Sequence, residues 1–184
     1  MRILGISGSL RRGSHNRRLL RAAENALPPG ADLVEWDGLA GLPAFDEDQE
    51  NLPPETVQDL LDAIDSADAV LIATPEYNAS LPGGLKNALD WASRPFPDNV
   101  LRHKPVAVMG ASTGLFGAVW AQADARKVLK TIGAHVLEGE LPIGMADSAF
   151  ADDGSLLDPE LAARLDDLLG DLRREVSAPV EQSA

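Results

Sequence analysis

The sequence predicts an α/β fold, a five-stranded parallel sheet in the order 2-1-3-4-5 with helices on both faces. Three observations predict it. Short apolar runs alternate with amphipathic stretches, the pattern of strand–helix–strand crossovers. The clearest runs are continuously apolar, as strands covered on both faces must be. The length, 184 residues, suits five such units in one domain better than a six-stranded dinucleotide fold.

Taken in order, Arg2 to Ser7 is a strand around Ile3, Leu4 and Ile6, and Gly8 to Ser14 is a loop. Leu19, Ala22, Ala23, Ala26 and Leu27 then recur at helical spacing until Pro28-Pro29-Gly30 stops them. Asp32 to Trp36 is the second strand. Asp37 to Pro53 is a long acidic connection, and Pro54 suits the first turn of a helix facing inward through Val57, Leu60, Leu61 and Ile64. Asp68 to Ala73 is a third strand, and a helix begins at Gly83 and ends before Pro95 and Pro97. Pro105 to Met109 is a fourth strand, followed by the loop Gly110 to Gly117 and a helix through Ala121, Ala125, Val128, Leu129 and Ile132. Ala134 to Leu137 starts a fifth strand. Glu138 to Leu157 reads as irregular, and Asp158-Pro159-Glu160 starts a last helix with a leucine stripe from Leu161 to Leu172. A single domain over residues 1–176 and a frayed polar tail over 177–184 are expected.

Composition narrows the function. The absence of cysteine excludes disulfides, thiolate metal sites and cysteine nucleophiles, and fits a cytoplasmic protein. Net charge is −13, which argues against nucleic acid and anionic membranes as partners. No apolar run approaches the roughly 20 residues of a membrane span, and no secretory signal opens the sequence. His15, His103 and His135 lack ligand spacing, so no metal site is expected. The charges are unevenly spread. Residues 1–30 hold six Arg and one Glu, whereas residues 31–85 hold thirteen Asp or Glu and no Lys or Arg. A basic zone in an acidic protein points to a local anion site, although a solvated helix face would look the same.

Three loops leave the carboxyl ends of strands one, three and four, neighbours in this order, at the edge where open α/β sheets bind ligands. The first, Gly8-Ser9-Leu10-Arg11-Arg12-Gly13-Ser14-His15-Asn16-Arg17, enters a helix and offers free amides, hydroxyls and guanidinium groups to a phosphate. It matches neither the nucleotide-triphosphate loop nor the dinucleotide fingerprint. The second, Pro75 to Pro82, is stiffened by two prolines and carries Tyr77. Its Glu76 has no visible acid–base partner and reads as a solvated or capping carboxylate. The third combines Gly110, Gly114 and Gly117 with Ser112 and Thr113. With no metal, cysteine or triad, a bound cofactor would supply any redox chemistry.

GSLRRGSHN at 8–16, TPEYNASLPGGLKNALDW at 74–91 and GASTGLFGA at 110–118 together resemble the NADPH-dependent FMN reductases. These are flavodoxin-like three-layer flavoproteins that reduce quinones, azo dyes and chromate. The resemblance covers residues 2–135. It implies FMN as cofactor and NADPH or NADH as co-substrate, with a small-molecule electron acceptor: a quinone first, with an azo compound, free flavin or chromate as alternatives. Ser9, Arg11, Ser14, Asn16 and Arg17 would hold the phosphate, with His15 among them. Pro75, Glu76, Tyr77 and Asn78 would lie against the isoalloxazine, and Ser112, Thr113 and Gly114 would approach its other side. No catalytic side chain is implied. A homodimer or homotetramer is, with the helix after Gly83 at the interface and the acidic connection near the flavin or a neighbouring subunit. The chain departs from many members at Gly117-Ala118-Val119-Trp120, where they carry a second Gly and a basic residue, so the resemblance does not choose between NADH and NADPH. A flavodoxin-like electron carrier between partner proteins fits the acidic surface and stays open as an alternative, as does a flavin-binding regulator.

Overall fold

A computed structural model describes residues 1–178 of the chain. The strands β1 (Arg2–Ser7), β2 (Asp32–Trp36), β3 (Ala69–Thr74) and β4 (Pro105–Ala111) pair in parallel in the order β2-β1-β3-β4. The fifth position is divided. β5 (His135–Val136) pairs with the start of β4, and β6 (Leu141–Ile143) pairs with its end. The predicted order therefore holds, with a sixth short strand inside the stretch expected to be irregular. β4 also runs two residues beyond Met109, so the third loop opens at Ser112.

Five helices complete the crossovers: α1 (His15–Ala26), α2 (Glu55–Asp65), α3 (Gly83–Ala92), α4 (Val119–Ile132) and α5 (Pro159–Ser177). Successive strand residues point to opposite faces. Ile3, Leu71, Ala73 and Met109 join α1 and α5 in one core, whereas Leu4, Ile6, Val70, Ile72 and Val108 join α2, α3 and α4 in the other. The result is the expected three-layer sandwich. Asp158 caps α5 by accepting from the Glu160 amide at 2.8 Å, with Pro159 in the first turn. Pro54 sits one residue outside α2, at its N-cap. Ser177 closes α5, and residues 179–184 of the tail expected to fray lie outside the described residues.

The acidic connection is not structureless. Short 3-10 turns at Gly38–Gly41 and Glu47–Gln49 punctuate it, and α3 anchors it. The Pro43 carbonyl accepts from Asn87 Nδ2 at 2.8 Å and Trp91 Nε1 at 3.0 Å, and Asn87 Oδ1 accepts from the Phe45 amide at 2.8 Å. Phe45 meets Trp91 edge-on at 5.0 Å, with Arg94 over its ring and paired to Glu47 and Glu50. Asp46 accepts from Gln49 and from the Asp48 amide, and these hydrogen bonds hold its carboxyl below the usual aspartate range. Asn87 and Trp91 thus fasten the acidic strap to the sheet's flank.

Candidate functional site

The three loops meet at the carboxyl edge because the backbone between them is tightly spaced. The Gly8 amide donates to Ala73 O at 2.9 Å. A Cβ on Gly8 would stand 3.2 Å from Pro75 and 3.1 Å from Leu85, so loop one presses directly on loop two. Asn16, buried in the first turn of α1, donates to Ala111 O at 3.0 Å and accepts from Ala111 N at 2.9 Å. That pair ties loop one to the end of β4. Glu76 closes the triangle, its Oε2 accepting from the Trp120 amide at 3.1 Å and the Ala121 amide at 3.3 Å.

Loop one folds as a ladder of short caps. Ser7 Oγ accepts from Ser9 N, Ser9 Oγ from Arg11 N, and Ser14 Oγ from Arg17 N as the N-cap of α1. Ser9 and Ser14 are buried, whereas Arg11, Arg12 and Gly13 are exposed. The His15 and Asn16 amides, at the free end of α1, bond to no group among the described residues. A helix start with open amides and two solvent-facing guanidinium groups attracts anions. Not every expected ligand is free to serve. Arg17 pairs with Glu35 on β2 at 2.9 Å, and His15 Nε2 meets Asp147 Oδ1 at 3.1 Å. Asn16 has both ends of its carboxamide on Ala111.

In loop two, Tyr77 and Ser80 exchange backbone hydrogen bonds across Asn78 and Ala79, which both have positive φ, +54° and +59°. This is the two-residue turn of a tight hairpin, and it leaves Tyr77 exposed. Pro75 is buried beneath it. Glu76 has the capping role: α4 has no capping side chain at Ala118, and a carboxylate 44 residues upstream supplies it. Glu76→Ala should therefore cost about 0.5–2 kcal/mol of stability, measured by urea unfolding, while Glu76→Gln keeps the acceptor and most of the effect. A fully stable Glu76→Ala protein would contradict the capping role.

Loop three is held from below. Gly114 N donates to Ser112 Oγ at 3.1 Å, Ser112 N to Ile143 O, and Met145 N to Gly114 O. Gly117, at φ +60°, lies so close to Pro142 and Ile143 that a Cβ would fall 2.5 Å from backbone carbon. Gln122, fully buried, donates to Gly117 O at 3.0 Å and accepts from Leu141 N at 3.3 Å, joining the loop to β6. Sequence reasoning missed Gln122 and Asp147. A Gln beside Ala121 in a helix carries no local mark of burial, and Asp147 lies in the segment read as irregular.

The sequence pattern of the NADPH-dependent FMN reductases matches residues 1–148. The chain belongs to this family. It is 45% identical to an NAD(P)H-dependent FMN reductase of Pseudomonas aeruginosa over 160 residues, 86% of this chain and 85% of the relative. It is 40% identical to a quinone reductase of Escherichia coli K12 over 139 residues, 74% of this chain and 73% of that one. Among solved structures, the flavoenzyme NAD(P)H:(acceptor) oxidoreductase of Paracoccus denitrificans superposes with a TM-score of 0.81 at 35% identity, over 96% of this chain and 95% of the other. This FMN reductase is accordingly an oxidoreductase with FMN as its cofactor and NAD(P)H as its reductant. Among its described residues no helix is long and apolar enough to cross a membrane, and no cluster of metal-ligating side chains occurs.

Proposed function

We propose that this reductase transfers hydride from NAD(P)H to quinones, holding FMN across its three carboxyl-edge loops. The observation that carries the reading is their convergence: Gly8 against Pro75, Asn16 on Ala111 and Glu76 on α4 draw the cationic first loop together with loops two and three. The hydroxyls of Ser9 and Ser14, the guanidinium of Arg11 and the open amides of His15 and Asn16 suit the FMN phosphate. Side chains of His15, Asn16 and Arg17 already engaged with Asp147, Ala111 and Glu35 would set the shape and charge of that corner. Pro75, Glu76, Tyr77 and Asn78 offer backbone edges to the isoalloxazine from one side, and Ser112, Thr113 and Gly114 from another.

Bound FMN would supply the two-electron chemistry that links nicotinamide to the acceptor. The protein's residues bind and orient the participants. Overall, NAD(P)H loses a hydride, solvent supplies one proton, and the quinone leaves as its hydroquinone. The relatives named quinone reductases support the acceptor.

The same reading covers the whole of residues 1–176 as one domain, working in the cytoplasm, where reduced nicotinamide is made. Nucleic acid and membranes have no part in it, given a net charge of −13. A homodimer is part of the proposal. A groove between α3 and α4, with Leu81, Val128, Ile132 and exposed Phe96 set among the charged side chains of Lys86, Asp90, Asp124 and Lys127, supports it. Light scattering should return twice the chain mass.

The decisive experiment mixes purified protein with NADH or NADPH and 1,4-naphthoquinone. A yellow protein that oxidises nicotinamide only when the quinone is present meets the expectation. A colourless protein that takes up no FMN on titration ends the reading. A yellow protein that oxidises neither nicotinamide would instead be an electron carrier.

A further inference from the structure

Beside loop three lies an apolar ledge that no fold requirement explains. Leu115 is 73% exposed, Phe116 59%, Trp120 49% and Met145 57%. Phe116 and Trp120 meet edge-to-face, with ring centroids 5.3 Å apart at 71°. Soluble proteins rarely leave such groups together in water without a use.

The ledge stands on a rigid base. Gly117 and Ala118 both have positive φ, +60° and +62°, a turn that is costly for the alanine. It is locked by Gln122 to Gly117 O and by the contact of Gly117 with the Pro142–Ile143 backbone. The turn sends Leu115 and Phe116 outward and sets Trp120 in the first turn of α4. Met145 joins them because its amide donates to Gly114 O at 3.0 Å. Glu76 links the ledge to loop two through the Trp120 amide.

Charge selects the occupant. From Pro105 to Ala123 the sequence contains no Asp, Glu, Lys, Arg or His, in a chain of net charge −13. Three carboxylates border it, and each is engaged: Glu76 with the α4 amides, Asp124, one turn after Trp120, with Ser80 Oγ at 2.7 Å, and Asp147, two residues after Met145, with His15 at 3.1 Å. An edge-to-face aromatic corner bordered by carboxylates suits a flat, uncharged ring, and offers an anion neither cation nor open helix start.

We propose that Phe116 and Trp120 form the acceptor-selecting ledge of this reductase, favouring flat neutral aromatic acceptors over anionic ones. The proposal rests on the quinone reductase reading and deepens it by naming the residues that discriminate.

The test uses the FMN-loaded full chain, the Phe116→Ala/Trp120→Ala double variant, and Val34→Ala as an exposed apolar control on β2, the far edge strand of the sheet. Three quantities are read: KM for 1,4-naphthoquinone, KM for ferricyanide, and equilibrium dialysis of 2-naphthol, a flat ring that accepts no hydride. The double variant should raise the naphthoquinone KM about tenfold and weaken 2-naphthol binding similarly. Its ferricyanide KM and FMN content should match wild type, as should every value for Val34→Ala. An unchanged naphthoquinone KM with unchanged 2-naphthol binding would overturn the proposal. So would equal losses for both acceptors with a fall in mass by light scattering, which would make the ledge a subunit contact. If wild type turns over neither acceptor, the quinone reductase reading fails, and 2-naphthol dialysis alone decides the ledge.

Discussion

Trp91→Ala should destabilise the protein by about 3–5 kcal/mol, the usual range for removing a large aromatic from a packed core. Trp91 is 1% exposed, and its indole does two jobs. One edge fills the space between α3 and the acidic strap, meeting Phe45 at 5.0 Å, and its N–H holds the Pro43 carbonyl. The variant therefore loses packing and strands a carbonyl that Asn87 alone must satisfy. Urea unfolding measures the first effect. Limited proteolysis measures the second, because residues 37–53 should be cut faster once the strap loosens. Trp91→Phe separates the two, restoring much of the packing without the donor, at a cost of about 1 kcal/mol for the hydrogen bond. A Trp91→Ala protein with wild-type stability and an equally resistant strap would overturn this account.

Arg11→Ala should weaken FMN binding by about 10–100-fold, the expected loss of a hydrogen bond to a charged phosphate. Arg11 is exposed at the mouth of loop one, and its backbone amide is already capped by Ser9. The substitution should leave the loop's shape intact and remove only the cation. Arg11→Lys should recover part of the affinity, since an ammonium supplies charge without the two-pronged geometry. Quenching of FMN fluorescence on titration gives the constants, and the difference between variant and wild type should shrink at high salt. Unchanged affinity would mean that the phosphate lies elsewhere.

Much of the fold was legible because its signals are local. Helical spacing after the loop Gly8 to Ser14 predicts α1, and Asp158-Pro159-Glu160 predicts the start of α5; both helices form as expected. Ala69 to Ala73 is buried without interruption, as its unbroken apolar run requires. β6 was not legible. Three residues containing a proline carry no strand periodicity, and Leu141–Ile143 is a strand only because the end of β4 offers it a partner. The acidic strap escaped for a similar reason: the groups that fasten it, Asn87 and Trp91, lie over forty positions downstream.

The convergence of the three loops was legible too, because polar loops after neighbouring buried strands must gather at one sheet edge. The work of its individual side chains was not. Sequence alone makes Asn16, His15 and Arg17 equal candidates beside Ser9 and Arg11. Folding commits Asn16 to Ala111, His15 to Asp147 and Arg17 to Glu35, leaving Arg11 at the surface. It also commits Glu76 to α4 and turns Phe116 and Trp120 outward. Strand and helix order follow from hydrophobic period and capping within a few residues, so the sequence by itself determines them. A polar side chain's partner depends on what tertiary packing brings within about 3 Å, so only the folded chain decides which groups remain for a ligand.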